Sequence, residues 1–545
     1  MPADTFFLTT AIDYTNGAPH IGHAYEKVLA DVMARYHRLK GDDVFFLTGV
    51  DQHGQKVQQS AEKEGVKPQG FVDRVTQKFL DLWEKLGVRY DGWAATTAES
   101  HKRIVRAILQ RLWDEKDPAT GQSRWIYKDT RDGYYSIRQE QFLTDKERGP
   151  DGEFGPEWGQ VEFRQEENYY FRLSEHRQWL LDLIDRRSAA GNPLVIPEFR
   201  VPELRNAVEK LSGDLCISRP RARLDWGIEI PFDPAFVTFV WFDALVNYIS
   251  FAPGYDPAVG ADLSTFHHWW PALHIIGKDI LIPAHGVYWP IMLKALGFAD
   301  DEIPALLVHG WWNISGAKMS KSLGNVVDPS VLADTYGAEA VRYYLMSDIS
   351  TGKDSDFSDE RLILRYNTDL ANSLGNLLNR KLNMAQKYRG GKLAKFQHPG
   401  STNVEALVNS YVAAYRDRFE GRVTLPDGST ERTDPYQIHS ALAAAFDLVN
   451  HCNQFIDSEK PWSLAKDETQ ASRLDAVLYH LADSLRIIAI LLSPVLPNAA
   501  ARIWEQLGVQ GEFRLSDAKW GGLPDGHQLG KPSPLFPRIE PPAAE

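Results

Sequence analysis

Two histidines three residues apart, with a glycine between them, stand at positions 20 to 23 in "NGAPHIGHAYEKVLADVMARY". Ile21, Tyr25, Val28, Leu29, Val32, Met33 and Tyr36 recur at the helical period and predict an amphipathic helix. Pro19 lies just before the first turn, where a missing N–H costs nothing. His20 and His23 therefore fall at the helix start, where amide donors lack partners and the dipole end is positive. Such a place takes up a phosphate. Read alone, the pair serves equally well as surface or capping residues.

Lys318 and Lys321 in "KMSKS", 318 to 322, form a second candidate group. They sit among small and polar residues, with Gly316 and Gly324 as hinges. Lysines that meet a phosphate chain only transiently belong on a mobile loop of this kind. By itself the pentapeptide also reads as a solvated surface loop.

The elements that must position these residues follow an α/β pattern. "TFFLTTAI" and "DVFFLTGV" read as buried strands, each followed by a helical segment, which indicates a right-handed parallel unit. Ligands bind beyond the carboxyl ends of such strands, so Asp13 and Tyr14, Asp51 and the His20 helix start should converge. From about 116 to 219 the texture turns to Gly, Asp and aromatic residues in short alternating segments, and an inserted domain of hairpins plus one helix is expected there. "FVTFVWFDALVNYI" and "LHIIGKDILIPAHGVYWPIMLKALG" then read as strand into helix. Asp328 is placed as an N-cap with Pro329 at the first helical position. After about 361 the chain is nearly all helical, interrupted by a polar loop at "GRVTLPDGSTERTDP".

With 545 residues the chain exceeds one core, so three or four domains are expected. Hydrophobic residues at 43% and charged residues at 24% are ordinary for a globular protein. Two cysteines far apart suit a reducing cytoplasm and exclude a disulfide framework. The start "MPADTFFLTTAIDY" has no basic n-region, and no apolar run is long enough to span a bilayer. A net charge of −13 argues against a non-specific DNA coater, while leaving room for an RNA partner at a local basic patch.

"HIGH" and "KMSKS", in this order and flanking an insertion, resemble the two signatures of class I aminoacyl-tRNA synthetases. "AIDYTNGAPHIGHAYEKVLAD", "FFLTGVDQHGQKV", "DLCISRP", "VWFDALVNY", "IIGKDI" and "KMSKSLGNVVDP" narrow the resemblance to the methionyl-tRNA synthetases. The similarity runs over nearly the whole chain and weakens in the insertion and near 395 to 432. It implies a Rossmann-type parallel-sheet catalytic domain in two halves, 1–115 and 220–305. A connective insertion would span 116–219, the KMSKS and stem-contact region 306–360, and an α-helical anticodon-binding domain 361–545. A monomer is expected, without the appended oligonucleotide-binding domain that dimerises some members.

The resemblance also implies roles. His20 and His23 would touch the ATP phosphates while the carboxylate of L-methionine attacks the α-phosphorus, and Gly22 would leave room for adenine. Lys318 and Lys321 would close on the departing pyrophosphate, and Mg²⁺ would travel with ATP. Asp51 would hold the methionine ammonium; as a bare sequence feature it could equally cap the next helix. Ile12, Tyr14, Trp241, Ala244, Tyr248, Ile280 and His285 would surround the thioether, although Trp241 and Tyr248 also read as plain core residues. Asp279 would lie near the ribose, with Gly277 allowing close approach. Asn376, Arg380 and Trp462 match the set that reads the CAU anticodon of tRNA(Met), where an indole stacks on a base and Asn and Arg read base edges. A solvated helix face and a helix-end staple are the blander alternatives.

Some positions depart from the family pattern. Asp13 stands where an uncharged residue is common, Gln52 replaces a frequent glutamate, and one extra residue separates Asp279 from His285. Many members hold zinc in the insertion, yet residues 116 to 170 contain no cysteine or histidine, and Ser136 and Gln139 stand where one ligand pair would be. No structural zinc is expected, since a tetrahedral site needs about four such ligands. The leucine, isoleucine and valine enzymes carry a far larger editing insertion, and cysteinyl enzymes use active-site zinc ligands. A catalytically silent RNA-binding relative has no need of both intact motifs.

Overall fold

The computed structural model describes residues 4–136, 141–143, 145–149, 151–239, 241–258, 260–314, 316–318, 326–395, 401–425 and 427–540. Its centre is a parallel sheet of seven strands, in the order Asp13–Tyr14, Asp43–Asp51, Thr5–Thr10, Leu273–Gly277, Ala305–His309 and Val195–Ile196, with Gly92–Ala95 also paired to Asp43–Asp51. Phe7, Leu8, Phe46, Leu47, Ile275, Ile276 and Leu307 are buried, as continuous apolar strands must be when both faces are covered. Tyr14 lies in register beside Asp51, so the carboxyl ends of these strands do converge.

The expected helix spans Ile21–Lys40, and every residue of its apolar stripe is at most 1% exposed. Gly41 ends it at φ 104°, its N–H donating to the carbonyls of His37 and Arg38. The opposite face is not solvated, because Glu26, Lys27 and Asp31 are buried too. Arg342, on the helix Ala338–Ser347, meets Asp31 there at 2.7 Å and donates to the carbonyls of Leu86, Pro494 and Val495. One guanidinium thus joins the helix Ile21–Lys40 to the helical end of the chain. Charges stay buried only when paired and hydrogen-bonded in this way.

In the insertion, Ile126–Ser136 and Val161–Phe171 pair antiparallel, flanked by Gln141–Leu143 and Leu215–Cys216 in a four-stranded sheet. Arg148 lies over the rings of Tyr134 and Phe154 at 4.6 and 4.3 Å, a cation–π clasp at the outer end of this sheet. Ser136 is buried and donates to the carbonyl of Trp158, while Gln139 lies outside the described residues.

Three details differ from the sequence reading. Val195–Ile196 falls inside the segment 116–219 yet forms an edge of the main sheet beside Ala305–His309; a two-residue strand leaves no periodic signal. Phe236–Thr238 pairs antiparallel with Ser218–Pro220 outside that sheet, so the main sheet resumes only at Leu273. The polar loop after Gly421 is a hairpin, Arg422–Thr424 against Thr430–Arg432, turned at Asp427 and Gly428, whose φ is 83°. Asp-Gly is a hairpin signal in its own right.

Lys381, on the helix Asn376–Arg389, is fully buried and its Nζ has no hydrogen-bond partner. Burial pulls its pKa from 10.5 down to about 7. The unfolded chain then holds a proton that the folded chain has lost, so stability rises as pH climbs between these two values. Lys381→Met removes the charge at similar length and should stabilise the protein by about 2–4 kcal/mol near neutral pH, with the gain fading toward the unperturbed lysine pKa. Guanidinium unfolding at neutral and alkaline pH measures this, and an equal effect at both would refute it.

Candidate active site

Beyond the carboxyl ends of the parallel strands opens a cavity of about 910 Å³. Ala11 to Tyr14, His20, Gly22, His23, Glu26 and Asp51 line it from the first half of the sheet. Trp241, Ala244, Tyr248, Gly277, Asp279, Ile280, His285 and His309 line it from the second. The insertion contributes Arg131, Asp132 and Gly133.

His20 is the N-cap of the helix, with extended backbone at φ −132° and ψ 175°. Its Nδ1 accepts from the Gly22 amide at 3.1 Å, and Nδ1 of His23 accepts from the His20 amide at 3.0 Å. Both histidines are therefore caps, as the blander reading allowed. The capping also assigns their tautomer: with Nδ1 an acceptor, a neutral ring carries its proton on Nε2 and is a donor there. The two rings lie 3.8 Å apart. Gly22 is required by the cap itself, since a Cβ would meet the His20 ring at 2.9 Å.

Asp51 ends its strand almost fully buried, and its Oδ1 is 3.4 Å from both the His53 amide and Thr96 Oγ1. It is not the cap of the next helix, Gln55–Lys63, whose N-cap is Gly54. The neighbouring Gln52 donates to Thr76 and accepts from Thr97, so an uncharged amide is satisfied at both ends there.

Trp241, Ala244 and Tyr248 lie on the helix Trp241–Ser250. Tyr248 donates to Nε2 of His285 at 2.7 Å, and Nδ1 of His285 donates to the Ile280 carbonyl at 2.9 Å. Burial pushes the His285 pKa down to about 4, so the ring is neutral. Trp241 meets its edge at 6.3 Å. The result is an uncharged, aromatic wall, suited to a polarizable thioether. On the other side a Cβ at Gly277 would lie 2.7 Å from Asp279 Oδ1, so the glycine lets that carboxylate approach the backbone.

Sequence reasoning missed the charged groups behind these walls. Lys27, buried one turn below His23, donates to the Ala11 carbonyl, Asp13 Oδ1 and Glu26 Oε1 at 2.8 to 2.9 Å. Glu26 Oε2 in turn meets Nε2 of His309 at 3.0 Å. This explains the unusual Asp13: its charge is answered by a lysine fourteen residues on. One ammonium cannot fully hold two carboxylates, and burial pushes the Asp13 pKa up to about 7 against the pull of Lys27. Burial opposes the Glu26 charge as well, yet Lys27 and His309 together keep its pKa low. Asp243 likewise bridges Nδ1 of His53 at 2.6 Å and Nε2 of His101 at 2.8 Å. Burial works against that carboxylate, but the two imidazoles bring its pKa down to about 2. A charged pair after the second histidine was the available signal for Glu26 and Lys27, whereas His53, His101 and Asp243 are brought together only by the fold.

Ala317–Lys318 pairs with the strand Trp312–Ile314, Lys318 opposite Asn313, and Lys321 lies outside the described residues. Asp328 caps the following helix through the Ser330 amide, as expected. Asn376 and Arg380, which do not line the cavity, are exposed on one helix, and Arg380 meets Asp457 at 2.8 Å. Asp457 precedes the exposed Trp462 by five residues, across the end of the helix Ile438–Glu459.

Comparison with known proteins gives the same picture. Residues 6–151 and 158–382 match the family described as tRNA synthetases class I (M), and residues 427–526 match the anticodon-binding domain of tRNA ligases. The chain is 41% identical to the methionine–tRNA ligase of Deinococcus radiodurans, over 99% of this chain and 75% of that protein. It is 39% identical to that of a Nostoc species, over 98% and 97%. The methionyl-tRNA synthetase of Mycobacterium tuberculosis, solved in complex with methionyl-adenylate, superposes with a TM-score of 0.86 at 35% identity, covering 98% of this chain and all of that one. The parallel-sheet core, the capped histidine helix and these matches over almost the full length show that the chain belongs to the methionyl-tRNA synthetase family of class I aminoacyl-tRNA synthetases.

Proposed function

We propose that this protein is a methionine–tRNA ligase that forms methionyl-adenylate and pyrophosphate from L-methionine and ATP, then transfers methionine to tRNA(Met). The observation that carries this reading is one cavity in which the paired histidine caps face a buried carboxylate, Asp51, and an uncharged aromatic wall. The ammonium of methionine pairs with Asp51 and its thioether lies among Ile12, Tyr14, Trp241, Ala244, Tyr248, Ile280 and His285. His20 and His23 donate from Nε2 to the ATP phosphates, where charge grows in the transition state. No side-chain nucleophile is required, because the substrate carboxylate attacks. Gly277 and Asp279 take the ribose, and Lys318 and Lys321 neutralise the leaving pyrophosphate. Mg²⁺ arrives as the ATP complex.

The segments 1–115 and 220–305 form the catalytic domain, 116–219 the insertion, 306–360 the KMSKS region and 361–545 the anticodon-binding domain. Asn376, Arg380 and Trp462 read the CAU anticodon. The protein acts as a monomer in the cytoplasm. Among the described residues no helix is long and apolar enough to cross a membrane.

Methionine-dependent ATP–pyrophosphate exchange tests the activity directly; its absence would overturn the assignment. His23→Asn keeps an acceptor for the His20 amide while removing the Nε2 donor. It should slow adenylate formation by about 100-fold, or ~3 kcal/mol, with little loss of thermal stability. A rate within about threefold of wild type would remove His23 from the transition state.

Trp462→Ala should weaken charging of tRNA bearing CAU by the loss of one stacking platform, roughly 1–3 kcal/mol. Exchange without tRNA should be unchanged, and equal losses in both assays would make Trp462 a core residue.

The insertion, which lacks cysteine and histidine from 116 to 170, should hold no structural zinc. Elemental analysis of the purified protein is expected to find none, and about one tightly held zinc per chain would contradict this.

A further inference from the structure

We propose that Lys27 is a positioning residue for amino-acid activation, tying the Ala11–Tyr14 wall of the methionine pocket to the helix start that carries His20 and His23. The proposal rests on the pocket assignment above. Lys27 is fully buried, and an ammonium has three hydrogens to place. The three acceptors are the Ala11 carbonyl at 2.9 Å, Asp13 Oδ1 at 2.9 Å and Glu26 Oε1 at 2.8 Å. The first two belong to the stretch that leaves the strand Thr5–Thr10 and flanks Ile12. The third is passed through Glu26 to His309, at the end of the strand that leads into the Trp312–Lys318 hairpin.

Lys27 lies four residues after His23, on the same helix face and one turn deeper. A single cation therefore fixes three walls of one cavity relative to one another. An apolar side chain could fill the same space without the cost of desolvating an ammonium, so packing alone does not account for it. Adenylate formation requires the methionine carboxylate and the α-phosphorus to be held in attack geometry, and a small misplacement of either is expensive in rate. The position of the methionine side depends on Ala11–Tyr14 and that of the phosphate side on the His20 helix start. Lys27 is a direct hydrogen-bonded link between them.

The alternative is that Lys27 only cancels the buried charge of Asp13. Pyrophosphate exchange with the full chain separates the two, using Lys27→Met and the double variant Lys27→Met/Asp13→Ala. The double variant leaves no lone carboxylate at position 13, and Glu26 keeps its contact with His309, so it carries the test even if the single variant does not fold. Positioning predicts that the double variant raises KM for methionine and lowers kcat, each about tenfold, with KM for ATP within about threefold of wild type. Recovery of wild-type KM and kcat in the double variant would overturn the proposal and leave Lys27 as a counter-charge. Tyr14→Ala, measured alongside, reads the pocket separately. If it raises KM for methionine while the Lys27 variants do not, the proposal alone fails; if none of them moves it, the pocket assignment falls and the proposal with it.

Discussion

A helix that begins beside the end of a parallel strand leaves amide donors facing the ligand side, and in this chain two of them are claimed by imidazoles. His20 and His23 each take a backbone N–H through Nδ1, so neither ring can turn without breaking the helix start. The same bonds leave the proton of each neutral ring on Nε2. Gly22 is tied to this arrangement by the space it leaves for His20. Capping thus uses only the Nδ1 end of each ring, so the sequence alternatives of cap or ligand are not exclusive.

Around this start the protein separates charged from uncharged surfaces with some care. The wall built by Tyr248, His285 and Ile280 is held neutral by an ordered run of hydrogen bonds, hydroxyl to imidazole to carbonyl. The buried charged groups are each shared among several partners: Lys27 by three acceptors, Asp243 by two histidines, Arg342 by Asp31 and three carbonyls. Buried ions that are only partly satisfied would be strongly destabilising. When fully satisfied they tie together elements distant in sequence, which apolar contacts do less specifically.

The insertion and the helical region are built differently from the core. The insertion uses a long antiparallel pair and arginine–aromatic contacts at its outer end. The helical region keeps a close-packed interior while presenting Asn376, Arg380 and Trp462 at the surface. Arg342 donates to the Pro494 and Val495 carbonyls there and pairs with Asp31 on the helix Ile21–Lys40, so one buried guanidinium joins the two regions.

The sequence by itself determined the strands at 5 and 43, the capped helix between them and the helical end, because apolar periodicity and capping chemistry are local. It also determined the family, since HIGH, KMSKS and the segments around them stand in recognisable strings. Only the tertiary structure decided which strands share a sheet: Val195–Ile196 joins it and Phe236–Thr238 does not, and pairing partners are set by long-range contacts. It alone showed that Asp51 is not a helix cap, that Gln52 is satisfied between two threonines, and that Asp13 is matched by Lys27. These are answers about partners, and a partner fourteen or two hundred residues away has no signature in the local pattern. Charged residues on a helix read as a solvated face until the fold covers that face, as it does for Glu26, Lys27 and Asp31.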